Sequence, residues 1–380
     1  MRFEGTARKA KRLRLASRRA NKAKIRKNIH SGGLKRLPEK FRGVVRFQCP
    51  KNLSIDDNFS ESLEFFTELK ELSRQIVERR RFRPTTPLRY SIGIENLETI
   101  SVRCAVIFAA EIDRLRRIAG DELIYQGRIE DDNEAISLLR QLGVFSLVGN
   151  REDVSTCENG MDRVVQGHRT AIQLMSGLNC DEDKLIGFYR SVQKIFDEFQ
   201  TTDFVHKGVA EAMLNAINHA YISKFPLKYP SCGKRWWAAA VMNASETEFK
   251  VIIYDQGHGI AKTLPISGLV ESMEVIAGRA LQGVTKMIDS PDEVMVKAAL
   301  EAARTRTGED KRGKGFKDIQ APVREVRGAR LRITSGRAQV TLQNGYDTFS
   351  LPLKHHIGGT LIEWVFPTQG FQERFVEVAQ

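Results

Sequence analysis

Residues able to do chemistry gather in four short motifs that follow one another in the C-terminal half of the chain. The first is Glu211-Ala-Met-Leu-Asn215-Ala-Ile-Asn218-His219-Ala220. Val209, Met213, Ile217 and Ala220 form an apolar stripe at helical spacing, while Glu211, Asn215 and Asn218 fall at i, i+4 and i+7 on another face. One rigid helix would therefore present a carboxylate and two amides in a row. Asn215 offers a hard oxygen to Mg²⁺, and Glu211 can orient or deprotonate an attacking water. Taken alone, the same spacing also describes a solvated helix face.

The second motif, Val251-Ile-Ile-Tyr-Asp255-Gln-Gly257-His-Gly259-Ile260, is an apolar strand ending in an acid and two glycines. The backbone can turn sharply there and come close to a ligand, and the Asp255 carboxylate can accept the exocyclic amine of a purine. Acid-glycine turns are common, so this motif is weak by itself. The third, Thr307-Gly308-Glu-Asp-Lys-Arg312-Gly313-Lys314-Gly315-Phe316, precedes a predicted helix running to about Val326. Glycines before a helix start expose backbone N–H groups, and the positive helix end favours a phosphate. Lys311, Arg312 and Lys314 add charge, although a flexible basic loop has the same composition. Gly358-Gly359-Thr360 opens a terminal strand.

The elements that must position these residues read as follows. Between residues 43 and 150, apolar runs at Val44–Phe47, Tyr90–Ile94, Leu123–Tyr125 and Val144–Val148 predict short strands alternating with helices. Residues 151–165 read as a linker, and a helical region is expected to about Tyr221. Strands then follow at 236–243 and 249–255, helices near 269–282 and 292–304, and strands at 329–334, 338–342 and 360–366. Strands in runs with helices grouped between them predict a sheet covered by helices on one face.

In their order, the four motifs resemble those of the GHKL superfamily, the Bergerat-fold ATPases that include histidine kinases, anti-sigma-factor kinases, MutL proteins and type II topoisomerases. The resemblance covers roughly residues 165–370. It implies an α+β fold, a two-layer α/β sandwich that binds ATP and Mg²⁺. Glu211 would be the catalytic base, Asn215 the Mg²⁺ ligand and Asp255 the adenine reader. Gly257 and Gly259 would form the first glycine box, Gly313 and Gly315 the hinge of an ATP lid over 304–316, and Thr360 a support of the adenine pocket. Asn218, His219, Ile260, Arg312, Lys314 and Phe316 join the nucleotide-contacting set by the same resemblance. Lys314 departs from the family pattern, since relatives often carry a small or apolar residue there. Residues 43–150 are similar in element order to STAS domains, which in bacteria accompany such ATPases. In phosphorylatable relatives a serine starts the helix after the second long strand; Ser101 is the nearest candidate here, but Thr99-Ile-Ser-Val-Arg103 lacks the usual Asp-Ser-Ser-Gly pattern and Ser101 reads as a helix cap.

The expected organisation is a basic disordered arm (1–42), a STAS-like domain (43–150), a linker (151–165), the ATPase domain (166–370) and a tail (371–380). His168 and His258 read as ordinary histidines, and Trp236 and Trp237 as core packing. His355 and His356 could hold a metal only with partners the sequence does not identify. The five cysteines form no C-x-x-C pair, and no apolar run reaches the roughly 18 residues of a membrane span. The function expected is a cytoplasmic ATP-binding signalling switch, with a protein kinase as the alternative. Homodimerisation is left open, and a protein partner through the STAS-like domain is expected.

Charge adds a third class. The chain carries a net +13, yet residues 1–42 alone hold 16 Lys or Arg against Glu4 and Glu39, leaving the other 338 residues close to neutral. Such an arm suits a polyanion, so a nucleic-acid-associated ATPase is the further alternative. If the arm binds nucleic acid, full-length protein should bind an oligonucleotide with an affinity that falls steeply with salt, and deletion of residues 1–42 should abolish it. Filter binding at several salt concentrations measures both.

Overall fold

The computed structural model describes residues 39–41, 44–82, 89–123, 133–147, 163–166, 169–178, 182–197, 204–222, 224–243, 247–263, 291–305 and 314–368. The arm before Glu39, the linker before Arg163, His168, the helix expected at 269–282, the loop carrying Arg312 and Gly313, and the tail lie outside these residues.

The N-terminal part begins with β1 (Glu39–Phe41), which falls within the expected arm and pairs antiparallel with β2 (Val44–Gln48). After β3 (Asn52–Leu53) comes the long helix α1 (Phe59–Phe82), then β4 (Arg89–Gly93) parallel to β2, and β5 (Thr99–Ile100) parallel to β3. Helix α2 (Val102–Ala119) follows, capped by Ser101, whose hydroxyl accepts from the Cys104 N–H at 3.3 Å. Asn133 caps α3 (Glu134–Gln141) in the same way. One expected strand takes another form, and of the strand expected at 123–125 only Leu123 is among the described residues. Leu123 forms a parallel bridge to Tyr90, whereas Val144–Leu147, expected as a strand, is a helical turn, α4. Gly143, at φ 70°, breaks α3, and the new turn buries the adjacent Val144 and Phe145 together, whereas a strand would point them to opposite faces.

The remainder builds one antiparallel sheet. Its elements are β6 (Arg163–Gln166), β7 (Arg169–Leu178), α5 (Glu182–Asp197), α6 (Phe204–Asn218), β8 (Arg235–Asn243), β9 (Glu248–Asp255) and α7 (Ile260–Thr263). Then come α8 (Pro291–Thr305), α9 (Lys314–Glu325), β10 (Arg330–Ser335), β11 (Ala338–Gln343), β12 (Phe349–Pro352) and β13 (Thr360–Pro367). The eight strands lie in the order β12-β11-β10-β13-β9-β8-β7-β6. Strand β7 occupies part of the region expected to be helical. Its register against β8 shifts between Ile172 and Met175, and Ala171 and Ile172 enter different cores, which erases any simple apolar period.

Successive residues of the central strands point to opposite faces, and both faces are buried. Along β9, Phe249, Val251 and Ile253 pack with α5, α6, α8 and α9, whereas Ile252 and Tyr254 join the core of α1 and α2. Trp236, Ala238 and Ala240 of β8 join the first cluster, and Trp237, Ala239 and Val241 the second. The second core thus runs without a break from Phe47 to Leu361. Polar ties reinforce it. The buried Arg103 on α2 hydrogen-bonds to Gln339 of β11 at 2.8 Å and pairs with Glu363 of β13 at 3.3 Å and with Asp56. Among the described residues no helix is long and apolar enough to cross a membrane.

Ile252 tests this shared core, since it is fully buried on the side facing α2. Ile252→Ala should cost about 2–5 kcal/mol. The loss should appear as one transition, coincident in far-ultraviolet dichroism and in the fluorescence of Trp236, Trp237 and Trp364.

Candidate functional site

Helix α6 is held by Val209, Ala212, Met213 and Ala216, all buried against the sheet. That anchoring turns Glu211 and Asn215 to a half-buried face and leaves Asn218 and His219 exposed at the helix end. The Asn215 carbonyl closes the helix by accepting from the N–H groups of His219 and Ala220 at 3.0 and 3.1 Å. Its side-chain Nδ2 is buried and has no hydrogen-bond partner. Burial, followed by nearby Asp318, raises the Glu211 carboxyl above the usual range. A base that keeps its proton to higher pH is better matched to water activation near neutrality.

The loop after β9 meets the end of α6. The His258 N–H donates to Ala220 O at 2.8 Å, and its ring nitrogen Nε2 lies 3.0 Å from Ile222 O, so His258 serves the backbone. Gly257 is needed at this junction, because a Cβ there would fall 2.2 Å from Ala220 O. Gly359, at φ 142°, is tighter still, with a Cβ meeting Asp255 O at 1.9 Å. Only glycine lets the strand opening at Thr360 lie this close to the strand ending at Asp255.

Asp255 sits at the end of β9, paired in register with Thr360 of β13 and Trp236 of β8. Its Oδ1 accepts from the Gly257 N–H at 2.8 Å. Burial pushes the carboxyl up to about 7, opposed by hydrogen bonds from the backbone of Gly257 and Thr360. Ser335 ties the neighbouring pieces together. Its hydroxyl accepts from the Ile260 N–H at 2.8 Å and lies 3.2 Å from Thr360 Oγ1. Thr360 and Ile260 are thereby joined through a residue that the motif reading did not single out, since a serine at a strand end carries no signal of its own.

Of the third motif, the described residues begin at Lys314, the first residue of α9, and Phe316 is partly buried against the core under the helices. A Cβ on Gly315 would lie 2.1 Å from Glu211 Oε1, so the start of α9 rests on the α6 carboxylate. Further along, Gly208 lets α6 approach α9 closely, with a Cβ position 3.0 Å from Asp318 O and 3.2 Å from Pro322 Cγ. Pro322 has no N–H to offer that carbonyl. His355 and His356 gain no metal partners, as no group of three His, Cys, Asp or Glu side chains gathers among the described residues.

The partnerless Nδ2 of Asn215 is an N–H donor that fits a phosphate oxygen, its amide oxygen would be the atom to hold Mg²⁺, and the glycines at 257 and 359 bring backbone close to Asp255. The chain matches no known family model and no curated protein.

The Asp255 shift sets a pH dependence. Between about pH 4 and pH 7 the unfolded chain has released this proton while the folded chain keeps it, so the buried carboxyl costs stability as pH rises through that window. Asp255→Asn should therefore gain on the wild type by on the order of 2 kcal/mol between pH 5 and pH 8. Urea unfolding at the two pH values measures this.

Proposed function

We propose that the chain is a Mg²⁺-dependent ATP-binding switch of the Bergerat type, a slow ATPase whose nucleotide state is conveyed to the N-terminal STAS-like layer or to a partner protein. The observation that carries the reading is the meeting of three motifs, more than 100 residues apart at their extremes, around the C-terminal half of α6. Glu211 touches the start of the third motif, and Ala220 receives the first glycine box. The motif order resembling GHKL proteins supports the same assignment.

In this reading Asp255 accepts the exocyclic amine of adenine, with Thr360 and Ser335 bracing the pocket beside it. Asn215 would hold Mg²⁺ through its amide oxygen, and the ion when bound would offset the charge of the triphosphate. Glu211 takes the proton of the attacking water, its raised affinity for protons suiting that role. The N–H groups opening α9 would turn the positive end of that helix towards the phosphates.

Incubation of purified protein with Mg²⁺ and γ-labelled ATP, following free phosphate and labelled protein together, tests it. Wild type should release phosphate, Glu211→Ala should lower the rate by about 10²–10⁴-fold, and Asn215→Ala should lose phosphate release at Mg²⁺ concentrations that support the wild type. Label arriving on a protein would replace hydrolysis by kinase activity. Failure of the wild type to bind ATP would end the proposal.

A further inference from the structure

The N-terminal layer reaches the turn after β9 and the glycines before β13 directly. Gln256 is the residue between Asp255 and Gly257. Its backbone N–H donates to Tyr221 Oη at 3.0 Å, and Tyr221 in turn donates to Arg235 O. Its side-chain Nε2 donates to Glu111 Oε1 at 3.3 Å, across 145 residues of sequence. Glu111 lies on α2 and is fully buried. Oε1 also accepts from Arg114, whereas Oε2 has no hydrogen-bond partner. The carboxylate therefore divides its one satisfied oxygen between its own helix and the first glycine box.

A second contact comes from α1. The buried Lys70 ammonium lies 3.9 Å from Glu111 Oε1, and its stem runs under the terminal glycines. A Cβ on Gly358, whose φ is 84°, would stand 2.9 Å from Lys70 Cε. Gly359 follows and presses on Asp255 O. Burial draws the Lys70 ammonium down to about 8 against the pull of Glu111, so the cluster is poorly solvated throughout. Charges held in so dry a place respond strongly to small displacements of their partners.

We infer that α1 and α2 regulate the nucleotide site from below, with the Glu111–Gln256 pair as the coupling contact and Lys70 under Gly358 as its second arm. The inference rests on the ATP reading above. A base settling on Asp255 shifts the Asp255–Gly259 turn, and the Gln256 amide moves relative to Glu111 with it. The unpartnered Oε2 gives the carboxylate somewhere to turn, towards Lys70 or Arg114, when Gln256 leaves. Coupling of this kind is reciprocal, so a change in α2 must alter nucleotide affinity by the same factor with which nucleotide alters α2.

The test uses full-length protein and Mg-ATP as the probe. Direct titration gives Kd, and hydrogen exchange at saturating ATP is followed over residues 59–82 and 102–119. Variants are Glu111→Gln and, because an altered buried acid can unfold the chain, the milder Gln256→Ala, both checked by dichroism. ATP should change exchange over 102–119 in the wild type, and Gln256→Ala should erase that change at saturation. Each variant should shift Kd by about 5-fold or more, and the double variant no further than the larger single one. Wild-type binding without any change over 102–119, or unchanged Kd in both folded variants, would overturn the inference while leaving the ATP reading intact. Absence of wild-type binding would instead remove the ATP reading and the inference with it.

Discussion

Everything in this fold depends on the central strands being buried on both faces. A strand with one wet face can alternate apolar with polar residues, but β8, β9 and β13 have no wet face to give. Their alternate residues serve two separate cores, one under α5, α6, α8 and α9 and one under α1 and α2. The N-terminal part is therefore a structural layer of the molecule. Uncovering the second face would expose Trp237, Ile252, Tyr254 and Leu361 to water at once, at about 25 cal/mol for each Å² of apolar surface.

That burial also explains the unusual charge content of α2. Arg103, Glu111, Asp113 and Arg114 are all buried although the helix lies against a sheet. Ions in such a place survive only with partners, and each has one. Arg103 finds Glu363 and Gln339 on the sheet, and Glu111 finds Arg114 and Gln256. Apolar contacts hold the layers together, while the ionic contacts specify where on the sheet the helix must sit. The geometry around Asp255 inherits this precision, because two of its neighbouring turns are touched by the same layer.

The sequence made local features legible and concealed distant ones. Helix α6 was visible because its apolar stripe keeps helical spacing, and the turns at Gly257 and Gly359 were visible because glycine marks a close approach. Strand β7 was not visible, since its bulge and its two-sided burial leave no period to detect. The strand expected at 144–148 failed for the opposite reason: a short apolar run fits a helical turn equally well, and packing decides. Ser335, Tyr221 and the Glu111–Gln256 contact left no trace, because a contact between residues 145 apart obeys no local spacing. The second layer was foreseen as a neighbouring domain, with no hint of which of its residues would face the glycine boxes.

The two-sided burial of β9 has a consequence for how this chain can vary. Adding or deleting one residue within the strand would hand every later side chain to the opposite core, pairing Ile253 with α2 and Tyr254 with the helices over the other face. Substitution by another apolar residue is a local matter, but a change of length is a global one. Changes in length are thus confined to the loops, and the spacing from Phe249 to Asp255 is a fixed ruler that sets where the carboxylate emerges at the end of the sheet.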